Sequence, residues 1–179
     1  MRPTTAVYIA TSLDGFISRE DGGIGWLTPF EDAQVFQRFE SFLSTVNAVV
    51  MGRNTFELVL SFERWPYHEI PVYVLSSSIK TLPESSPQTA RLRSCAPEDL
   101  LAELGSTRAR RVYVDGGKTI QLFLEKDLID ELTITRIPVL LGTGRTLFGP
   151  LPFDLDYRHI STEAFPSGLV QTKYTRIRA

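Results

Sequence analysis

The stretch Arg111-Val-Tyr-Val-Asp-Gly-Gly-Lys-Thr-Ile-Gln-Leu-Phe-Leu124 joins an apolar, β-branched run to a helical pattern through two adjacent glycines. This order predicts a buried strand, a sharp turn and the N-terminus of a helix. Gly116 and Gly117 lack Cβ, so a ligand can approach the backbone there, and the first helical N–H groups favour an anion. Many α/β proteins make such a turn without a ligand, so this stretch alone indicates only a candidate phosphate site.

Strand-like and helix-like patterns alternate on both sides of this stretch. We predict strands at residues 6–10, 47–52, 70–75, 111–114 and 131–137, and helices at 31–44, 55–60, 97–104 and 119–126. Residues 12–29 and 76–93 are expected to be links, the second with at most one short strand. Residues 156–165 and 169–178 are expected to form a closing antiparallel hairpin. The alternation predicts an α/β fold of three layers, with helices on both faces of a mainly parallel sheet.

The predicted helix 31–44 has an apolar stripe at helical spacing, so its large side chains are expected to pack on the sheet as core. The stripe consists of Val35, Phe36, Phe39, Phe42 and Leu43. No internal repeat or linker divides the chain. We therefore expect residues 1–179 to form a single domain.

Composition excludes several classes of protein. The chain has 179 residues, of which 42% are hydrophobic and 22% charged, which is typical of globular proteins. The net charge of −2 gives no electrostatic footprint for nucleic acid or an anionic membrane, and no apolar run is long enough to span a bilayer. The single cysteine, Cys95, excludes a disulfide framework, and His68 and His159 lack metal-ligand spacing, so no metal site is expected. No signal-peptide pattern is present, and we expect a cytoplasmic location.

Three polar motifs follow predicted strands: Ser12-Leu-Asp-Gly15, Gly52-Arg-Asn-Thr55 and Asp115-Gly-Gly-Lys-Thr119. Ligands of parallel sheets bind beyond the carboxyl ends of the strands, so several of these motifs should meet at one cleft. Arg53 is able to hold a phosphate through two parallel hydrogen bonds, although the local sequence fits a helix cap with an exposed arginine equally well. Two glycine-bearing helix starts would suit a dinucleotide, whose negative charge is shared between a pyrophosphate and often a further phosphate.

The ordered motifs carry a family resemblance. Ala10-Thr-Ser-Leu-Asp-Gly-Phe-Ile17, Val50-Met-Gly-Arg-Asn-Thr-Phe56, Val74-Leu-Ser-Ser77 and Val114-Asp-Gly-Gly-Lys-Thr-Ile120 resemble, in the same order, the motifs of the dihydrofolate reductase-like superfamily. Ile129-Asp-Glu-Leu-Thr-Ile-Thr-Arg-Ile-Pro-Val-Leu-Leu-Gly142 is similar to the riboflavin-biosynthesis reductase branch, the RibD C-terminal domain.

The resemblance implies a mixed sheet of about eight strands that ends in an antiparallel hairpin, an NADPH-dependent reductase and a homodimer. It implies that the adenosine 2′-phosphate side and the pyrophosphate contact Gly52, Arg53, Asn54 and Thr55. The ribose would contact Leu75, Ser76 and Ser77. The pyrophosphate would also contact Gly116, Gly117, Lys118, Thr119 and Ile120. The nicotinamide end would contact Ala10 and Ile17.

Hydride transfer to a C=N bond needs a nearby proton source or a route for water. The candidate acids are Asp14, Glu31, Asp32 and Asp115. Asp14 also fits an Asp-Gly turn, and Glu31 and Asp32 also fit the first turn of a helix. Folate reductases keep an acid after a segment similar to Trp26-Leu-Thr-Pro29, and the spacing leaves both Glu31 and Asp32 open. Asp115 departs from both families, since riboflavin reductases tend to have Glu there and folate reductases Gly.

Ser12 and Trp26 are the candidate substrate contacts. Ser12 has no base partner in a Ser-His-Asp arrangement, which argues against hydrolysis. The reaction that the resemblance implies first is reduction of 5-amino-6-(5-phosphoribosylamino)uracil. Dihydrofolate reduction and a nucleotide-binding protein without turnover are the alternatives. The Gly22-Gly-Ile-Gly25 segment has the conformational freedom of a lid.

Overall fold

A twisted eight-stranded sheet runs through the centre of the computed structural model, which describes residues 1–30 and 32–178. The prediction for Glu31 therefore lies outside the described residues. The strands are β1 (Thr4–Thr11), β2 (Phe16–Ser18), β3 (Ala48–Gly52), β4 (Val72–Leu75), β5 (Ala90–Arg93), β6 (Arg111–Asp115), β7 (Glu131–Arg136), β8 (Arg145–Thr146), β9 (Tyr157–Ala164) and β10 (Val170–Arg176). The helices are α1 (Ala33–Leu43), α2 (Arg53–Leu60), α3 (Pro97–Ser106) and α4 (Gly117–Leu124), with a 3₁₀ helix at Gly25–Phe30.

The main sheet has the order β5-β4-β3-β6-β1-β7-β10-β9. The first six strands in this order are parallel, and β10 and β9 add the antiparallel hairpin that the sequence predicts. The predicted α/β fold, with a mainly parallel mixed sheet and a closing hairpin, is confirmed. The parallel strands place the carboxyl ends of β1, β3, β4 and β6 at one edge, where ligands of such sheets bind.

Side chains that alternate along each buried strand supply two cores, one on each face of the sheet. In β6, Val112 and Val114 pack with α3 and α4, whereas Tyr113 packs with α1 and α2. This alternation follows from the period of two along a strand and gives three layers. The α1/α2 face also carries Tyr8 of β1.

One member of the predicted core stripe was wrong. Phe42 and Leu43 of α1 are buried, and Phe39 packs beside them, but Phe36 is 64% exposed. The helix begins at Ala33, after Asp32 caps it by accepting hydrogen bonds from the N–H groups of Gln34 and Val35. Phe36 lies one turn inside that end, beyond the part of the helix that contacts the sheet.

The predicted link 12–29 contains structure that the sequence pattern did not reveal. β2 pairs with β8 as a separate two-stranded ribbon, and the 3₁₀ helix follows. A Cβ on Gly117 would lie 2.6 Å from Ile17 Cδ1, so the ribbon rests against the N-terminus of α4. In the described part of the chain, no helix has the length and apolar character to cross a membrane.

Candidate functional site

A cleft of about 2210 Å³ opens at the carboxyl edge of the sheet, between the two glycine-bearing helix starts and α1. Pockets for a single small ligand usually measure about 300–1000 Å³. The cleft therefore has room for a dinucleotide together with a second, smaller molecule.

The two glycine-bearing turns touch each other in this cleft. A Cβ on Gly116 would overlap the Thr55 hydroxyl, and a Cβ on Gly52 would lie 3.0 Å from Thr119 Oγ1. Each glycine thus faces the threonine of the other motif. This close approach gives a structural reason for both glycines, since any side chain would push the two turns apart.

Both helices that start at these turns present free N-termini. Gly52 and Gly116 are the N-caps of α2 and α4, and neither gives a side-chain hydrogen bond to the first turn. Neither helix has an acidic residue in that turn. The first N–H groups of two helices and their positive dipole ends therefore meet in one place, which is the arrangement that binds anions.

Two cations lie at these helix starts. Arg53 makes only long contacts, 3.3 and 3.4 Å to Asn54 Oδ1 and 3.8 Å to Glu57, so its guanidinium is free to turn towards a ligand. Lys118 is exposed at the start of α4. A doubly phosphorylated or triply phosphorylated ligand would find both helix dipoles and both charges within the cleft.

A partly buried acid lies beside the same turn. Asp115 Oδ1 accepts a hydrogen bond of 2.8 Å from the Gly116 N–H, and Oδ2 accepts one of 2.9 Å from the Tyr67 hydroxyl. Burial raises the pKa of Asp115, and these hydrogen bonds oppose that rise without cancelling it. Asp115 is thus a carboxyl group at the cleft wall that holds a proton more readily than an ordinary aspartate.

Comparison with known proteins identifies the family. A model of the RibD C-terminal domain matches residues 3–171. The chain belongs to the RibD C-terminal domain family. Members of this RibD family are typically NADPH-dependent reductases, and the dihydrofolate reductase-like resemblance predicted from the motifs is confirmed.

Relatives of this RibD domain extend over its whole length. The uncharacterized protein YwjB of Bacillus subtilis (strain 168) is 34% identical over 98% of this chain and 99% of its own. A crystal structure from Shewanella sp. PV-4, assigned by name to riboflavin biosynthesis, is 41% identical with a TM-score of 0.91, covering 98% of this chain and 99% of the other. The Thermotoga maritima diaminohydroxyphosphoribosylaminopyrimidine deaminase/5-amino-6-(5-phosphoribosylamino)uracil reductase shares the fold, with a TM-score of 0.75, 19% identity and coverage of 98% of this chain and 57% of its own.

Most residues that the sequence predicts to contact a cofactor line the cleft of this RibD domain. They are Ala10, Ile17, Gly52, Arg53, Asn54, Thr55, Leu75, Ser76, Ser77, Gly116, Gly117, Lys118 and Thr119. Ile120 differs, because its side chain is fully buried in the core beneath α4. The glycine segment predicted as a lid supplies Gly22 and Gly23 to the same cleft.

Three residues that the sequence predicts to supply a proton or contact the substrate do not line the cleft. The Ser12 hydroxyl donates to Asp14 Oδ1 at 2.6 Å and accepts from the Phe16 N–H. Asp14 also accepts from the N–H groups of Leu141 and Gly142, and the Ser12 hydrogen bond, with these, lowers the pKa of Asp14 to about 2. Trp26 packs against an apolar cluster that includes Leu169. Ser12 and Asp14 thus hold a turn together, and neither lines the cleft.

Asp32 lines the cleft, but its carboxylate is already engaged. A hydrogen bond from the Ser167 hydroxyl, followed by those from the N–H groups of Val35 and Gln34, lowers the pKa of Asp32. Asp115 is the one candidate acid among the described residues whose pKa is raised. A raised pKa suits an acid that supplies a proton, whereas a lowered pKa keeps a carboxylate ionised.

The structure adds cleft residues that the motifs did not indicate, chiefly Tyr8, Tyr67, Thr135 and the exposed Phe36. A signal for Tyr8 was present, since it lies two residues before Ala10 and strand side chains alternate. Tyr67 comes from the loop after α2 and had no such signal. No group of three His, Cys, Asp or Glu side chains able to hold a metal ion occurs within residues 1–30 and 32–178.

Proposed function

We propose that this protein is an NADPH-dependent reductase that transfers a hydride to a C=N bond of a small nitrogen heterocycle. The contact between two uncapped helix N-termini, with Arg53 and Lys118 beside them, is the observation that carries the proposal. A dinucleotide pyrophosphate fits this cradle, because glycines leave the backbone donors accessible and no acidic side chain competes in either first turn. Members of the family are typically reductases that depend on NADPH, which supports the assignment.

Arg53 is the residue we assign to the adenosine 2′-phosphate. Its guanidinium is half-buried and lacks a close ion-pair partner, since Glu57 lies 3.8 Å away. A guanidinium binds a phosphate through paired, charge-assisted hydrogen bonds, whereas the 2′-hydroxyl of NADH offers no charge to pair with it. This contrast favours NADPH over NADH.

Asp115 is the residue we assign to the proton. Bound NADPH would supply the hydride, which adds to the carbon of the C=N bond while the nitrogen takes a proton, giving CH–NH and NADP⁺. The Asp115 carboxyl would hold that proton beside the cleft and regain it from solvent. The Tyr67 hydroxyl, which donates to Asp115 Oδ2, fixes the orientation of the carboxyl group.

The substrate implied first by the resemblance is 5-amino-6-(5-phosphoribosylamino)uracil, which the Thermotoga maritima protein of the same fold reduces according to its name. Dihydrofolate is the second compound to assay. A protein that binds NADPH without oxidising it in the presence of either compound, or of a broader heterocycle panel, would fit the non-catalytic alternative instead. The homodimer implied by the resemblance stays a prediction, which sedimentation equilibrium would test.

Titration of the protein with NADPH and NADH, followed by tryptophan fluorescence and calorimetry, tests the proposal. The Arg53→Ala variant should weaken NADPH binding about 10- to 100-fold and NADH binding far less, as expected for one hydrogen bond to a charged group. The Arg64→Ala variant, which removes an exposed arginine that does not line the cleft, is the matched control. Absence of NADPH binding would refute the reductase proposal, and equal losses for both cofactors would refute the role of Arg53.

A further inference from the structure

The cleft has two halves that differ in charge. The cofactor half contains all three of the Lys and Arg side chains among the described lining residues: Arg53, Lys118 and Arg145. Arg145 belongs to the β2–β8 ribbon that rests on the start of α4, and its guanidinium donates two hydrogen bonds to the Glu20 carbonyl. The cations are therefore gathered where the cofactor phosphates and the ribbon lie.

The other half, beneath α1 and the 3₁₀ helix, is apolar and aromatic. We call it the α1 pocket, and its lining includes Tyr8, Ala10, Val35, Phe36, Phe39 and Thr135. The charged side chains that line it are Asp32 and, at the border with the cofactor half, Asp115. The Arg38 guanidinium of α1 also acts on the Tyr8 hydroxyl, but it is paired with Glu163 at 2.9 Å and does not line the cleft. A substrate phosphate in the α1 pocket would therefore meet the Asp32 carboxylate and no cation among the described lining residues.

Aromatic side chains form the walls of the α1 pocket. The Phe39 ring lies 5.3 Å from the Tyr8 ring and 6.3 Å from the Tyr113 ring, so these aromatic groups support one another. Phe36, one turn earlier on α1, leaves the core and is 64% exposed at the mouth. Phe36 lines the cleft, and an aromatic ring at that position suits contact with a planar ligand.

The floor of the pocket carries a row of hydrogen-bonding groups. Ala10 pairs with Thr135, and Thr135 pairs with Gln171, so these three share one face across β1, β7 and β10. Gln171 Nε2 donates to Tyr8 Oη at 2.7 Å and to Thr135 Oγ1 at 2.9 Å. The hydroxyl proton of Tyr8 has no acceptor among the described residues and is available to a ligand.

Asp115 and Tyr8 have separate partners. The ladder between β1 and β6 ends at the pair of Ala6 and Tyr113. The Tyr8 hydroxyl is held by Gln171 of β10, whereas the Asp115 carboxyl of β6 is held by Tyr67 and the Gly116 N–H. The Tyr8 hydroxyl can therefore donate by itself to a carbonyl oxygen or a ring nitrogen of a ligand.

We infer that the substrate is an uncharged, planar nitrogen heterocycle with a hydrogen-bond acceptor on its ring, carrying no phosphate on the part that enters the α1 pocket. The inference rests on the proposed function for the identity of the cofactor half. It narrows the substrate class, because it disfavours the phosphoribosyl compound that the resemblance implies first. A neutral ring would stack against Phe36 and accept a hydrogen bond from the Tyr8 hydroxyl.

Matched pairs of ligands test this inference. The pairs are 5-amino-6-(ribosylamino)uracil with its 5′-phosphate, and riboflavin with its 5′-phosphate, each titrated calorimetrically into free and NADP⁺-loaded protein. We expect at least one unphosphorylated compound to bind, and its phosphorylated partner to bind at least about tenfold more weakly. The Phe36→Ala variant should weaken the neutral compound about fivefold or more without changing the Kd of NADPH. The Phe148→Ala variant, whose side chain is 48% exposed outside the cleft, should change neither.

Two results would overturn the inference: phosphorylated compounds that bind as tightly as their partners, or no binding of either unphosphorylated compound to the NADP⁺-loaded protein. Failure of the proposed function is a separate observation, since it consists of the absence of NADPH binding. The titrations on free protein would still report on the α1 pocket in that case.

Discussion

The contact between the two glycine-bearing turns makes Gly116→Ala the most informative single substitution. Gly116 has a φ of +87°, a conformation that costs about 1–3 kcal/mol for a residue with a side chain. The new Cβ would also overlap the Thr55 hydroxyl and come within 3.1 Å of Thr55 Cβ. Overpacking of this kind costs about 1–3 kcal/mol. The free energy of unfolding should therefore fall by about 2–6 kcal/mol, and NADPH affinity should fall with it as α4 is displaced.

Gly15→Ala separates the two parts of this cost. Gly15 has a φ of +84°, and nothing lies within 4 Å of the position its Cβ would take, so only the backbone strain of about 1–3 kcal/mol is expected. The double variant Gly116→Ala/Thr55→Ala removes the overlapping hydroxyl and should recover part of the loss. Urea unfolding at pH 7 measures all four proteins. A Gly116→Ala variant that loses no more stability than Gly15→Ala would refute the direct contact between the turns.

Three further predictions address the acids and the aromatic residues. Asp14→Asn should lower the free energy of unfolding at pH 7. Because the folded pKa of about 2 lies below the ordinary 3.8, the difference should be full above about pH 4 and shrink as the pH falls towards 2; a pH-independent difference in urea unfolding would contradict this. Phe42→Ala should lower the free energy of unfolding by about 3–5 kcal/mol, because its buried ring packs on Tyr8 and Tyr113, whereas Phe36→Ala should change it by no more than about 0.5 kcal/mol. Similar losses for the two variants in urea unfolding would contradict the outward position of Phe36. In steady-state assays, the wild-type kcat should fall as pH rises through the raised pKa of Asp115, and Asp115→Asn should lower kcat about 10²- to 10⁴-fold with little change in NADPH affinity; an active Asn variant would exclude Asp115 as the proton source.

Much of the fold could be predicted because its signals are local. The alternation of short β-branched runs with amphipathic segments predicted the parallel sheet, and the two long terminal runs around Pro166-Ser-Gly168 predicted the hairpin. The order of strands in the sheet was not available from these signals. The ribbon of β2 and β8 was also missed, because each strand has at most three residues and the partners lie far apart in sequence.

The candidate cofactor turns could likewise be predicted, whereas the substrate side could not. Gly52-Arg-Asn-Thr55 and the turn after Asp115 follow parallel strands, and the geometry of such a sheet brings their ends to one edge. Tyr67 reaches Asp115 from a loop that has no periodic pattern. Asp14 was an equally reasonable acid in the sequence, and only its contacts with Leu141 and Gly142 show that it holds distant backbone together instead.

The class of fold, the family and the place of the two candidate phosphate turns therefore followed from the sequence alone, since they depend on local periodicity, on glycine and on strand direction. Contacts in the folded chain set which acid has a raised pKa, which phenylalanine leaves the core and where the cations gather. A pKa, an exposed fraction and a charge distribution depend on neighbours brought together from distant parts of the chain. The turn at Asp115 illustrates both. Its glycines can be read directly from the sequence. The raised pKa of its carboxyl group comes from desolvation in the folded chain, which outweighs the lowering effect of the Tyr67 hydrogen bond.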